Sequence, residues 1–165
     1  EDYQKRINDK KLKIDENSIL IIRDCGPVGY PGSAEVVNMQ PPDRLLKKGI
    51  THLPTLGDGR QSGTSESPSI LHVSPESAVG GDLGIVKTGD KMKIDLNKRR
   101  VDLLISQSEF KKRRKNKKLF KANNQTPWQE IFRDTVGQLE DGACINSRGN
   151  YLDVSNKKGL PRNSH

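Results

Sequence analysis

At 165 residues the chain has room for one domain with a real core, not for two. Apolar residues make up 31%, or about 40% with the 15 glycines, and no run approaches the roughly 20 residues of a bilayer-spanning helix. The net charge of +8 points to nucleic acid until it is mapped: Lys111, Lys112, Arg113, Arg114, Lys115, Lys117 and Lys118 carry seven charges in eight residues, and without them the chain stands at about +1.

Residues 1–17, 111–125 and 146–165 are nearly devoid of apolar runs, so a compact centre with polar ends is expected. Ser18-Ile-Leu-Ile-Ile-Arg23 reads as a buried strand. The stretch Asp24-Cys-Gly-Pro-Val-Gly-Tyr-Pro-Gly32, with three glycines and two prolines, is a loop. Ser33 is placed to cap a short helix through Val37, with Glu35 in its opening turn. Asp43 to Lys48 is a second helical piece closed by Gly49, and Ile50 to Leu56 a second strand. That strand runs into a polar, glycine-rich loop, Gly57-Asp-Gly-Arg-Gln-Ser-Gly-Thr-Ser65.

Pro75 to Val79 is a helical turn ended by Gly80-Gly81, Leu83 to Lys87 a strand, and Thr88-Gly-Asp90 a turn. Met92, Ile94 and Leu96 alternate with polar residues, and Val101 to Ile105 follows as a further strand. Ser106 with Glu109 forms a capping box that opens the basic helix, and Thr126-Pro127 with Gln129 repeats the logic. Trp128, Ile131, Phe132, Thr135 and Val136 then share one helical face, and residues 146–165 read as a loose tail.

Chemistry concentrates in the two glycine-rich loops, because glycine lets backbone approach a ligand closely. Spacing alone assigns little. Ser62 reads as a turn serine bonding its own backbone, Glu35 as a first-turn acid favoured by the helix dipole, and Arg60 as a surface or ion-pair residue. No histidine stands in a triad relation to Ser62, and Gly59-x-x-Ser62 is not the nucleophile elbow. Cys25 and Cys144 make neither a C-x-x-C pair nor a disulfide framework, which fits a reducing compartment.

The wording of the loops is more specific than their spacing. Cys25-Gly-Pro-Val-Gly-Tyr-Pro-Gly-Ser-Ala-Glu35, Gly57-Asp-Gly-Arg-Gln-Ser-Gly-Thr-Ser65 and Val73-Ser-Pro-Glu-Ser-Ala-Val-Gly-Gly81 occur in that order. Together they resemble the C-terminal domain of the dihydroxy-acid and sugar-acid dehydratase family, over residues 1 to about 144. Ser67-Pro-Ser-Ile70, Asp95-Leu-Asn-Lys98 and Thr126-Pro-Trp-Gln-Glu130 are most similar to its pentonate branch.

The resemblance implies an α/β, β-rich fold: a swivelling β/α domain with a small β-barrel and flanking helices over residues 1–145, and a polar tail over 146–165. It implies a hydro-lyase that removes water from a 2,3-dihydroxy acid, an aldonate such as D-xylonate, to leave a 2-keto-3-deoxy acid. Glu35 is implied as a magnesium ligand, Ser62 as the base that takes the C2 proton, and Arg60, Gly63 and Thr64 as substrate contacts. An iron–sulfur cluster is implied as the Lewis acid for the C3 hydroxyl, with its ligands on an N-terminal domain that this sequence lacks. Glu1 in place of an initiating methionine agrees with a fragment or processed product. The isolated chain is then expected to fold without turning over substrate, and the full-length protein to be a cytoplasmic homodimer or homotetramer, a mitochondrial site being left open.

Glu66 departs from the pattern, standing where the pentonate branch tends to have glycine; a carboxylate near an anionic substrate repels it. Three other readings stay open. The first is a branched-chain dihydroxy acid as substrate, the second a nucleic-acid-binding module built on Lys111 to Lys118, and the third a non-catalytic assembly module.

Overall fold

The computed structural model describes residues 2–33, 35–36, 39–61, 66–121 and 123–145. Two short parallel sheets occupy its centre. Leu20–Ile22 (β1), Thr55–Gly57 (β3) and Ser69–Ile70 (β5) form the first, in the order β1-β3-β5. Glu35–Val36 (β2) and Arg60–Gln61 (β4) form the second. The register Leu20↔Thr55, Ile21↔Leu56 and Ile22↔Gly57 explains one glycine, because a Cβ on Gly57 would lie 2.9 Å from the Ile22 Cβ. Strands of β-branched and leucine side chains buried on both faces are the ordinary composition of a parallel sheet.

The core packs Leu20, Ile22 and Leu53 with Met39 and with Leu45 of a short helix, Asp43–Leu46 (α2), which is followed by a turn to Gly49 at φ +82°. The N-terminal residues are not merely polar. Helix Asp2–Arg6 (α1) leads into a segment whose Tyr3, Ile7 and Ile14 pack on this core, and the Tyr3 hydroxyl donates to the Gln40 carbonyl. Three isolated apolar residues suffice because they return to one patch, although they form no run.

The rest of the chain folds beside these sheets. Met92–Asp95 (β6) and Arg100–Leu103 (β7) make an antiparallel hairpin. Helices Gln107–Lys115 (α3) and Pro127–Thr135 (α4) start on the expected caps: Ser106 Oγ accepts from Glu109 N–H at 3.2 Å, and Thr126 Oγ1 from Gln129 N–H at 3.2 Å. Such caps stabilise a helix by about 1 kcal/mol.

Three expectations are corrected. Glu35 opens no helix: it lies in β2, and Ser33, at φ +57°, lacks the extended backbone of a cap residue. The strand expected over Ile50 to Leu56 begins only at Thr55, where pairing to β1 becomes available. Leu83 to Lys87 is not a strand but a tight turn of helix, Asp82–Ile85, which buries both Leu83 and Ile85. Gly84 between them leaves room for Lys117, whose Cε would lie 2.4 Å from an added Cβ. The strands among the described residues form three separate sheets and no closed barrel, and no described helix is long and apolar enough to cross a membrane. The expected tail, 146–165, lies outside the described residues.

Candidate active site

The first glycine-rich loop leaves β1 through Asp24, held at φ +63°, and reaches β2 at Glu35. Its backbone is gripped by two carboxylates of zero exposure, Asp58 and Glu76. Asp58 Oδ2 accepts from Asp24 N–H at 3.0 Å and from Ser77 N–H at 2.7 Å, while Oδ1 accepts from Cys25 N–H at 3.1 Å. Glu76 accepts from Val28 N–H at 2.8 Å, Gly29 N–H at 3.0 Å and the Gln138 amide at 2.8 Å. Ser77 Oγ completes the network, accepting from Asp24 N–H and donating to the Asp24 carboxylate at 2.6 Å. A buried carboxylate is tolerable when N–H donors meet it in this way.

Two glycines make the grip possible. A Cβ on Gly26 would sit 2.4 Å from Glu76 Oε2, and one on Gly29 would sit 2.3 Å from the Asp24 carbonyl oxygen. From the other side Arg133 of α4 donates to the Val28 and Gly29 carbonyls, and Phe132 lies against Gly32. The loop is therefore held by three segments distant in sequence.

The second loop joins the first through backbone pairing. Glu35 stands opposite Arg60 and Val36 opposite Gln61 in parallel register, with Glu35 and Arg60 both exposed. Buried Gln61 accepts from Ser69 Oγ at 2.7 Å, which ties β4 to β5. Of the residues singled out in the sequence, the structure brings Glu35 and Arg60 together. Ser62, Gly63 and Thr64 lie outside the described residues, directly beyond β4.

Cys25 sits beside this network as a free, partly buried thiol. Burial, and then the Asp58 and Asp24 carboxylates, push it up to about 11, so it remains protonated at neutral pH. Glu66 is exposed, its carboxylate 2.9 Å from His52 Nε2.

The basic cluster is partly occupied with the fold. Arg113 pairs with Asp90 at 2.5 Å and with Glu109 at 2.7 Å, and it also donates to the Ile85 carbonyl. Arg114 faces Asp82 at 3.4 Å, and Lys117 donates to the Gly81 carbonyl. Lys111, Lys112, Lys115 and Lys118 remain as exposed cations. A cleft of about 380 Å³ between α3 and the Asp82–Ile85 turn includes neither Glu35 nor Arg60 in its lining.

Asp58 and Glu76 went unread in the sequence as anything but loop polarity. The available signal was weak: a carboxylate between two glycines, Gly57-Asp58-Gly59, and another following Ser74-Pro75. Their partners lie 19 to 62 residues away, where no local pattern reaches.

The donor set limits what the chain holds by itself. Among the described residues no group of three or more His, Cys, Asp or Glu is placed to bind a metal ion. An exposed carboxylate such as Glu35 fits one position around magnesium, a hard cation that takes oxygen ligands, with the others supplied from elsewhere. An iron–sulfur cluster does not fit this chain's residues alone: it takes several converging cysteine thiolates, and the two cysteines present, Cys25 and Cys144, stand on separate segments.

Residues 1–143 match the family described as dihydroxy-acid/6-phosphogluconate dehydratase C-terminal. The chain is 54% identical over all 165 residues to a D-xylonate dehydratase of Caulobacter vibrioides, covering 27% of that protein. It is 50% identical over 113 residues to an L-arabinonate dehydratase of Rhizobium leguminosarum and 40% identical over 146 residues to a dihydroxy-acid dehydratase of Thermodesulfovibrio yellowstonii. These spans are 68% and 88% of this chain and 20% and 26% of the relatives, so the chain spans about a quarter of the length of the curated relatives it matches. On the three loops and the family match together, the chain belongs to the dihydroxy-acid and sugar-acid dehydratase family and corresponds to its C-terminal domain.

Proposed function

We propose that this chain is the C-terminal, swivelling part of a hydro-lyase that dehydrates a pentonate, D-xylonate or a close relative, to a 2-keto-3-deoxy acid. The observation that carries the reading is the parallel pairing of Glu35 with Arg60, which puts a carboxylate and a cation at the mouth of two glycine-rich loops. The C2 proton beside a carboxylate is weakly acidic, and the C3 hydroxyl leaves poorly. Magnesium and an iron–sulfur cluster, when bound, supply the Lewis acidity both steps need.

This chain's own residues do the rest. Glu35 contributes one oxygen toward the magnesium ion. Ser62, two residues beyond Arg60, takes the C2 proton, with the Arg60 cation favouring its alkoxide. Gly63 and Thr64 offer donors to the substrate carboxylate. The remaining ligands belong to an N-terminal domain, so the isolated chain binds no cluster and turns over nothing. Exposed apolar groups are consistent with a surface that such a domain covers: Trp128 is 78% and Ile131 54% exposed on α4. The full-length protein is a cytoplasmic homodimer or homotetramer on this reading.

The test is the longer protein, reconstituted with iron–sulfur cluster and magnesium, assayed on C4 to C6 aldonic acids and 2,3-dihydroxyisovalerate beside a Ser62→Ala variant. Keto-acid formation from a pentonate, abolished in Ser62→Ala, is the expected result. Turnover of dihydroxyisovalerate alone overturns the pentonate assignment, and silence on every substrate overturns the catalytic reading.

A further inference from the structure

We propose that Asp58 and Glu76 are positioning residues for the dehydration, setting the backbone that holds Glu35 beside Arg60. The inference rests on the dehydratase reading above and deepens it.

The contacts form a closed ring. The first loop begins at Asp24 and Cys25, whose N–H groups are held by Asp58, and ends at Glu35, which pairs with Arg60. Asp58 and Arg60 are two residues apart on the second loop. Both ends of the loop that presents the carboxylate are thus fastened to one short segment, Asp58 to Arg60. Glu76 fastens its middle, at Val28 and Gly29. The placing of Glu35 beside Arg60 therefore follows from the ring and not from either loop alone.

Charge matters to this role. An apolar side chain in either place would leave the converging N–H donors unpaired, so packing alone does not account for the carboxylates. A carboxylate presents acceptors only, so it can take three converging N–H groups; an amide in its place turns a donor toward one of them. Asp58→Asn and Glu76→Gln preserve shape and remove that match. Displacement of a reacting group by about 1 Å can cost on the order of a hundredfold in rate.

The experiment compares three variants of the longer protein, reconstituted as above. Asp90→Asn serves as the control, since Asp90 is an equally hydrogen-bonded carboxylate that belongs to the α3 network and not to the loops. Amide exchange and steady-state kinetics on a pentonate are measured well below each melting temperature. Glu76→Gln is expected to accelerate exchange at Val28 and Gly29, and Asp58→Asn at Asp24, Cys25 and Ser77, each on the order of tenfold. Both are expected to lower kcat by about a hundredfold with a smaller change in KM. Asp90→Asn is expected to lower the melting temperature and leave kcat unchanged.

Unchanged exchange at the named amides overturns the grip. Accelerated exchange with wild-type kcat overturns the positioning role, and so does an equal loss of kcat in Asp90→Asn. If Asp58→Asn does not fold, Glu76→Gln decides alone. A wild-type protein inert toward every acid sinks the dehydratase reading instead, and the exchange data still judge the grip.

Discussion

Cys25 shows how a residue's surroundings decide its chemistry. A cysteine in a glycine-rich loop of the candidate site invites a ligand reading, yet burial and two nearby carboxylates hold its thiol up to about 11. At pH 8 the thiolate fraction is then on the order of one in a thousand. Alkylation with iodoacetamide at pH 8, followed by mass spectrometry, is expected to modify exposed Cys144 well before Cys25. Equal rates at the two cysteines contradict the buried, carboxylate-flanked setting. Glu66 gives the complementary case. The departing carboxylate of the sequence has a partner at the surface, His52, which its position in the chain did not announce.

At the scale of elements, helix α3 is joined to the turn before β6 by Arg113, whose side chain is 12% exposed, and Asp90, at 10%. The Arg113 guanidinium holds the Asp90 carboxyl below its ordinary range, and Arg113 likewise lowers Glu109. A carboxyl with a depressed folded value contributes stability that is present above its unfolded value, about 3.9, and lost as pH falls through the folded one. Asp90→Asn removes that contribution at every pH. The gap in melting temperature between wild type and Asp90→Asn is therefore expected to be open at pH 6 and to close as the pH drops below about 4. A gap that stays constant from pH 6 to pH 2.5 rules the ion pair out as its source.

At the scale of the whole molecule, the domain leaves part of an amphipathic helix uncovered. Phe132 of α4 lies against Gly32 and Arg133 holds the first loop, yet Trp128 and Ile131 face outward. Trp128 is the single tryptophan of the chain, which makes it a usable reporter. Its emission in the isolated chain is expected to be that of a water-exposed indole, open to iodide quenching. In the longer protein, the difference spectrum against Trp128→Phe is expected to move to shorter wavelength and lose that quenching. Identical, quenchable emission in both contexts means that α4 is not the face covered by the N-terminal domain.

What the sequence by itself determined was local. Caps at Ser106 and Thr126, the β6–β7 alternation and the loop between Asp24 and Gly32 were all legible, because each is encoded within a few residues by side-chain chemistry. The three glycine-rich motifs also carried the family, through their wording and not through their geometry. Only the tertiary structure decided that Glu35 lies in a strand, since that strand exists by pairing with Arg60 and Gln61, 25 residues later. Leu83-x-Ile85 has the period of a strand, but two buried side chains around a glycine are satisfied equally by a tight turn, and Lys117 over Gly84 selects the turn. Asp58 and Glu76 were invisible for the same reason. A buried carboxylate is identified by the donors that surround it, and here all but the Gln138 amide are backbone N–H groups, which every sequence has and which only the fold can aim.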